Sequence, residues 1–122
     1  MTDVAVIGAG LAGCTVAKHL SEIARVKLFE KSKRSGGRIA TRLSRHHQFD
    51  HGAQFFTVSS FDFKEFLTPL VDAGFVARWY GRFAEFDGAQ LTRQTEWIGS
   101  PPHWVGTPTM SSFVERLSNG LD

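Results

Sequence analysis

The chain has 122 residues, 42% of them hydrophobic, and 14 Lys and Arg against 12 Asp and Glu give a formal charge of +2. That size fits one domain, and no Lys/Arg run is long enough to form a nucleic-acid face. No apolar run approaches the ~18 residues a bilayer span needs. A single cysteine excludes an internal disulfide and fits a reducing compartment, so a cytoplasmic location is expected.

The first element is Val4-Ala5-Val6-Ile7, a short β-branched run of the kind found in buried parallel strands. Gly8, Gly10 and Gly13 follow directly in the pattern G-x-G-x-x-G. Cys14 to about Ala24 then reads as a helix with Val16, Ala17, Leu20, Ile23 and Ala24 apolar, and Val26 to Phe29 as a second strand ending in Glu30. In this order each residue has a physical task. Gly8 permits a tight turn, Gly10 lets the backbone approach a diphosphate, and Gly13 lets the helix pack closely on the sheet. The helix N-terminus presents free N–H groups and the positive end of its dipole to that diphosphate. Glu30 lies 17 positions beyond Gly13, where a carboxylate meets ribose hydroxyls. Cys14 reads as a small packing residue. Leu11-Ala12-Gly13-Cys14 resembles a lipoprotein cleavage box, but no basic n-region precedes it.

The segment from Lys31 to Arg42 is rich in Lys and Arg and contains Gly36-Gly37-Arg38. Beside a dinucleotide fingerprint, Arg38 and Arg42 read as a second clamp on phosphate oxygens. His46 and His47 lack companions for a metal set and read as exposed loop. In Phe49-Asp50-His51-Gly52-Ala53-Gln54-Phe55-Phe56, Gly52-Ala53 leaves room for a flat ring or a close ligand. Gln54 offers a hydrogen bond, and the two phenylalanines form either a pocket wall or core.

Ser59 and Asp62 fit the start of an amphipathic helix with Phe63, Phe66, Leu67, Leu70 and Val71 on one face. Pro69 is expected to bend or shorten it, and Gly74 to stop it. Phe75 to Tyr80 reads as extended, and residues 82–93 as a β-hairpin turning at Asp87-Gly88. Those antiparallel strands belong to a sheet separate from the opening parallel pair. Trp97 to Pro108 reads as irregular. Thr109 caps a last helix with Met110, Phe113, Val114 and Leu117 on one face and Asn119-Gly120 at its end.

The fold class is therefore α/β: a Rossmann-like βαβ unit, then the start of an antiparallel-sheet subdomain. Two parallel strands alone do not make a viable sheet, and no third strand of that kind can be read. The expectation is an incomplete, N-terminal part of a larger protein, prone to aggregate alone.

DVAVIGAGLAG, LFEKSKRSGGRIATR, FDHGAQFF and VGTPTMSSFVERL together resemble the N-terminal part of renalase-like flavoproteins, within the FAD-dependent amine oxidase-like group. The resemblance implies FAD as cofactor, with its diphosphate on Gly8, Gly10, Leu11, Ala12 and Gly13. It implies ribose at Glu30 beside Lys31, and phosphates facing Gly37, Arg38 and Arg42. It places His51, Gly52, Ala53, Gln54 and Phe55 beside the isoalloxazine. Residues 1–58 are expected in the FAD domain, 59–108 in the start of a substrate subdomain, and 109–122 in a helix leading back. The implied reaction is hydride transfer from a small-molecule substrate, an amine or a dihydronicotinamide, to flavin, with reoxidation by O2. No side chain stands out as an acid, base or nucleophile. Nucleic acid and membrane are not expected partners. Two alternatives are an NAD(P)-binding dehydrogenase module and a catalytically incomplete dinucleotide-binding fragment.

Overall fold

The computed structural model describes residues 1–97 and 99–121; Asp122, the end of the expected last segment, lies outside them. Strand β1 (Asp3–Ile7), helix α1 (Leu11–Leu20) and strand β2 (Arg25–Phe29) form the opening unit, with β1 and β2 parallel and Val4 opposite Val26. The βαβ reading thus holds. Helix α1 begins three residues before the expected Cys14, because Gly10 is extended enough to act as its N-cap. It also ends earlier, and Ile23 lies in a turn, exposed. The strands are not buried on both faces. Val4, Val6, Val26 and Leu28 turn inward, whereas Ile7 and Phe29 remain 79% and 50% exposed, since α1 covers one side only.

A 3-10 turn (Gly37–Ile39) and a short antiparallel pair, β3 (Arg42–Leu43) and β4 (Gln48–Phe49), carry the chain to β5 (Phe56–Thr57). Helix α2 (Phe61–Asp72) is capped by Ser60, not Ser59: the Ser60 hydroxyl accepts the Phe63 N–H at 3.2 Å. Pro69 does not cut it short. Its end is a Schellman motif, with Phe75 N–H bonded to Leu70 O, Gly74 N–H bonded to Val71 O, and Gly74 at φ +79°.

Strands β6 (Val76–Arg78), β7 (Arg82–Asp87), β8 (Gln90–Glu96) and β9 (His103–Gly106) follow. The β7–β8 hairpin turns at Gly88-Ala89, one residue later than expected, because Asp87 pairs with Gln90 and Gly88 supplies the positive φ. A bulge between Glu85 and Phe86 absorbs the offset. Strand β9 corrects the irregular reading of residues 97–108. It is the centre of an antiparallel sheet in the order β5-β9-β6. Its signal is short and flanked by Pro and Gly, so local pattern conceals it. This sheet takes β5 from before residue 58 and the other two strands from after it.

Helix α3 (Ser112–Ser118) starts three residues after Thr109, whose hydroxyl lies 2.8 Å from the Ser112 hydroxyl. Gly106 makes that docking possible, since a Cβ there would lie 2.5 Å from Thr109 O and 2.8 Å from Met110 Cα. The expected apolar face is real: Met110, Phe113 and Val114 are buried and Leu117 is half-buried. They join Cys14, Leu67, Leu70 and Val76 in one core, with α3 packed on α1. Fully burying a side chain of that size contributes about 1.5–3 kcal/mol, so this cluster ties the opening unit to the antiparallel sheet.

Candidate dinucleotide-binding site

The site forms where β1 ends. Gly8 at φ +99° turns the chain, and its N–H donates to Phe29 O at 2.7 Å, which keeps the two strand ends level. Gly13 faces back onto this turn. A Cβ on it would collide with Gly8 O, with Val6 Cγ1 3.6 Å away, so the helix lies as close to the strand as backbone allows. No side chain caps α1 and no acid occupies its first turn, which spans Leu11, Ala12 and Gly13. The free N–H groups of that turn carry the positive end of the helix dipole, a place where an anion would be stabilised.

Glu30 closes the turn from the second strand. One carboxylate oxygen accepts the Ala9 N–H at 2.8 Å and the other accepts the Ser32 N–H at 2.8 Å. Those bonds, Ser32 foremost and then Ala9, hold the carboxyl below its ordinary range, with Lys31 adding to the effect. Cys14, one turn into α1, is fully buried; burial pushes its thiol up, and the Glu30 charge adds to this.

The second glycine segment meets the first directly. Gly10 and Gly36 form a parallel bridge, and Gly36 N–H donates to Ala9 O at 2.8 Å. Gly36 at φ +125° suits glycine alone, and at Gly37, φ +56°, an added Cβ would also stand 3.3 Å from Gly10 Cα. Two glycine loops far apart in sequence are therefore one backbone surface. Arg38 and Arg42 are exposed beside it, as is Lys31.

The 51–55 segment lies against this surface. Ala53 N–H donates to Arg38 O at 3.1 Å, and the face of Gly52 is filled by that same carbonyl, with which a Cβ would collide. Space at Gly52 thus serves backbone packing. His51 and Gln54 are exposed. Phe55 turns toward the antiparallel sheet, where its ring stacks on His103 at 4.0 Å. Trp79, Phe83 and Trp97 complete that aromatic cluster.

Three contributors were not legible in the sequence. Ala9 and Ser32 act through backbone N–H groups, which carry no side-chain signature. Asp50 was visible only as one charge among aromatics, yet its Oδ1 accepts from Thr41 Oγ1 at 2.6 Å and from Met110 N at 3.0 Å. Thr41 in turn accepts the Ser111 N–H at 3.1 Å. This bracket fixes the chain between the glycine loops and the start of α3. Among the described residues no group of three His, Cys, Asp or Glu side chains is placed to hold a metal, and no helix is long and apolar enough to cross a membrane.

Solved structures of known proteins are similar to this fold. A redesigned variant of putrescine oxidase is 26% identical over 80% of this chain, with a TM-score of 0.53. A protein described as a protoporphyrinogen oxidase from Exiguobacterium sp. 255-15 superposes over 74% of the chain with a TM-score of 0.51, and at 19% identity this likeness concerns the fold. The chain spans about a fifth of the length of each, 21% in both cases. Residues 6–70, from β1 through most of α2, match the NAD(P)-binding Rossmann-like domain family. With its glycine turn, parallel strand pair and strand-end carboxylate in place, the chain belongs to that family of NAD(P)-binding Rossmann-like domains.

Proposed function

We propose that this chain is the nucleotide-holding part of an FAD-dependent oxidoreductase of the amine oxidase-like group, renalase-like in its motifs. The observation that carries the reading is the joined glycine surface. An uncapped α1 N-terminus, Gly10 bridged to Gly36, and Glu30 at the strand end together present donors to phosphates and acceptors to ribose. The residues present suit a dinucleotide. Gly8, Gly10, Leu11, Ala12 and Gly13 hold the diphosphate, Glu30 beside Lys31 holds the ribose, and Gly37, Arg38 and Arg42 face the phosphates. The second glycine loop with its arginines favours FAD over a nicotinamide dinucleotide, which needs only the first. His51, Gly52, Ala53, Gln54 and Phe55 carry the flavin end of the motif; with Gly52 packed on the Arg38 carbonyl and Phe55 on His103, the exposed His51 and Gln54 are the side chains left to meet the ring. Bound there, FAD would supply a two-electron acceptor for a hydride from an amine or a dihydronicotinamide, with O2 taking those electrons on and leaving as hydrogen peroxide. The likeness to putrescine oxidase supports the amine choice.

In the same reading residues 1–58 belong to the FAD domain, 59–108 to the substrate subdomain and 109–122 to a returning helix. The protein works in the cytoplasm on a small molecule, without nucleic acid or membrane.

The test is to prepare the 122-residue chain with FAD, remove free cofactor on a sizing column and record the visible spectrum. A retained flavin spectrum, lost in Arg38→Gln with Arg42→Gln, is the expected result. Binding of NADH with no retention of FAD would favour the nicotinamide module instead. A colourless protein that binds neither would sink the cofactor assignment for this chain.

A further inference from the structure

A hollow lies away from the glycine loops, between α2 and the antiparallel sheet. Its volume is about 500 Å³, and Val58, Leu67, Val71, Pro102 and Trp104 supply its apolar walls. That volume falls within the range of small-molecule sites, ~300–1,000 Å³. Its polar lining is Lys64, Thr68, Asp72 and Arg78, and the Thr68 hydroxyl already donates to Lys64 O at 2.9 Å. Trp104 has its indole Nε1 buried with no hydrogen-bond partner. Arg78 stands directly opposite Trp104 in the β6–β9 register, its guanidinium 5.6 Å from the centre of the Trp104 ring. Lys64 rises from the first half of α2. Among the described residues neither Lys64 nor Arg78 has a carboxylate within ion-pair distance. The one acid of the lining, Asp72, ends α2 eight residues beyond Lys64, a rise of about 12 Å along the helix.

Two cations against one acid leave the lining net positive. An occupant suited to these walls and this charge has an apolar body and an anionic head. Guanidinium binds a carboxylate in a two-pronged fork, and the indole face beneath Arg78 keeps that fork oriented. We propose that the hollow between α2 and the β6–β9 pair binds an apolar carboxylate, its body on Leu67, Val71 and Trp104 and its head on Arg78 and Lys64. The site shares no residue with the glycine loops, so its failure would leave the dinucleotide reading untouched.

The test follows the indole N–H resonances of the ¹⁵N-labelled chain, assigned with Trp79→Phe and Trp97→Phe, during titration with phenylacetate. The expected result is a saturable shift of the Trp104 resonance that phenethylamine does not produce. Arg78→Gln should weaken binding at least ~10-fold, as loss of a charged hydrogen bond does. No saturable shift at millimolar phenylacetate, an equal response to phenethylamine, or unchanged affinity in a folded Arg78→Gln would each overturn the proposal. If Arg78→Gln fails to fold, Lys64→Glu on the exposed side of α2 decides in the same way: weaker binding is expected, and unchanged affinity overturns it.

Discussion

Glu30 accepts the backbone N–H of Ala9 at 2.8 Å across 21 residues of sequence, and this bond closes the end of the parallel strand pair. Ser32 N–H secures the other carboxylate oxygen at the same distance. The carboxylate is thus a structural pin before any ligand arrives.

Because those bonds depress the Glu30 pKa, the charged form is favoured on folding. Such a group stabilises the fold above its unfolded pKa, and that contribution is lost as pH falls through the folded value. Unfolding by urea, repeated from neutral pH down through the carboxylate range, should show stability declining on the acid side. Glu30→Gln should be less stable at neutral pH and show a flatter decline. An identical pH slope in the two proteins would contradict the pin.

Gly13→Ala places a methyl group against the Gly8 carbonyl, a backbone atom that cannot swing aside. Overpacking of this kind costs about 1–3 kcal/mol, and here the upper end is expected. Gly88→Ala is the comparison. At φ +58° in the open hairpin turn it meets no atom within 4 Å and should cost only about 1 kcal/mol. Denaturant midpoints of the two variants would rank them.

Asp50 bonds both Thr41 Oγ1 and the Met110 N–H, so Asp50→Ala strands a backbone donor and a buried hydroxyl together. A cost of about 1–3 kcal/mol is expected. Because Thr41 also receives the Ser111 N–H, Thr41→Val combined with Asp50→Ala should cost clearly less than the sum of the two. Strict additivity in a double-mutant cycle would mean that the two residues act independently.

Cys14 is fully buried and its thiol is pushed up by burial, with the Glu30 charge adding to it. Its reaction with a disulfide reagent near pH 8 should be slow in the folded chain and fast in denaturant. A rapid native reaction would show that α1 opens away from the core.

The opening βαβ unit, the inner face of α2 and the apolar side of α3 were legible because each depends on near neighbours. Glycine spacing, helical periodicity and a β-branched run are local signals, and local sterics act on them directly. Helix starts were less legible. Gly10, Ser60 and Ser111 each compete with adjacent residues of similar capping ability, and packing settles the choice.

What the sequence determined by itself was therefore the β1–α1–β2 fingerprint, with the places of Gly8, Gly13 and Glu30 in it. Only the tertiary structure decided that Gly10 bridges Gly36, that Gly52 makes room for the Arg38 carbonyl, and that β9 becomes the central strand between β5 and β6. These relationships join backbone groups far apart in the chain. Backbone N–H and C=O groups are the same in nearly every residue, so their pairing leaves no mark on composition or periodicity. It is fixed by which apolar faces meet in the common core of Cys14, Leu67, Val76 and Phe113.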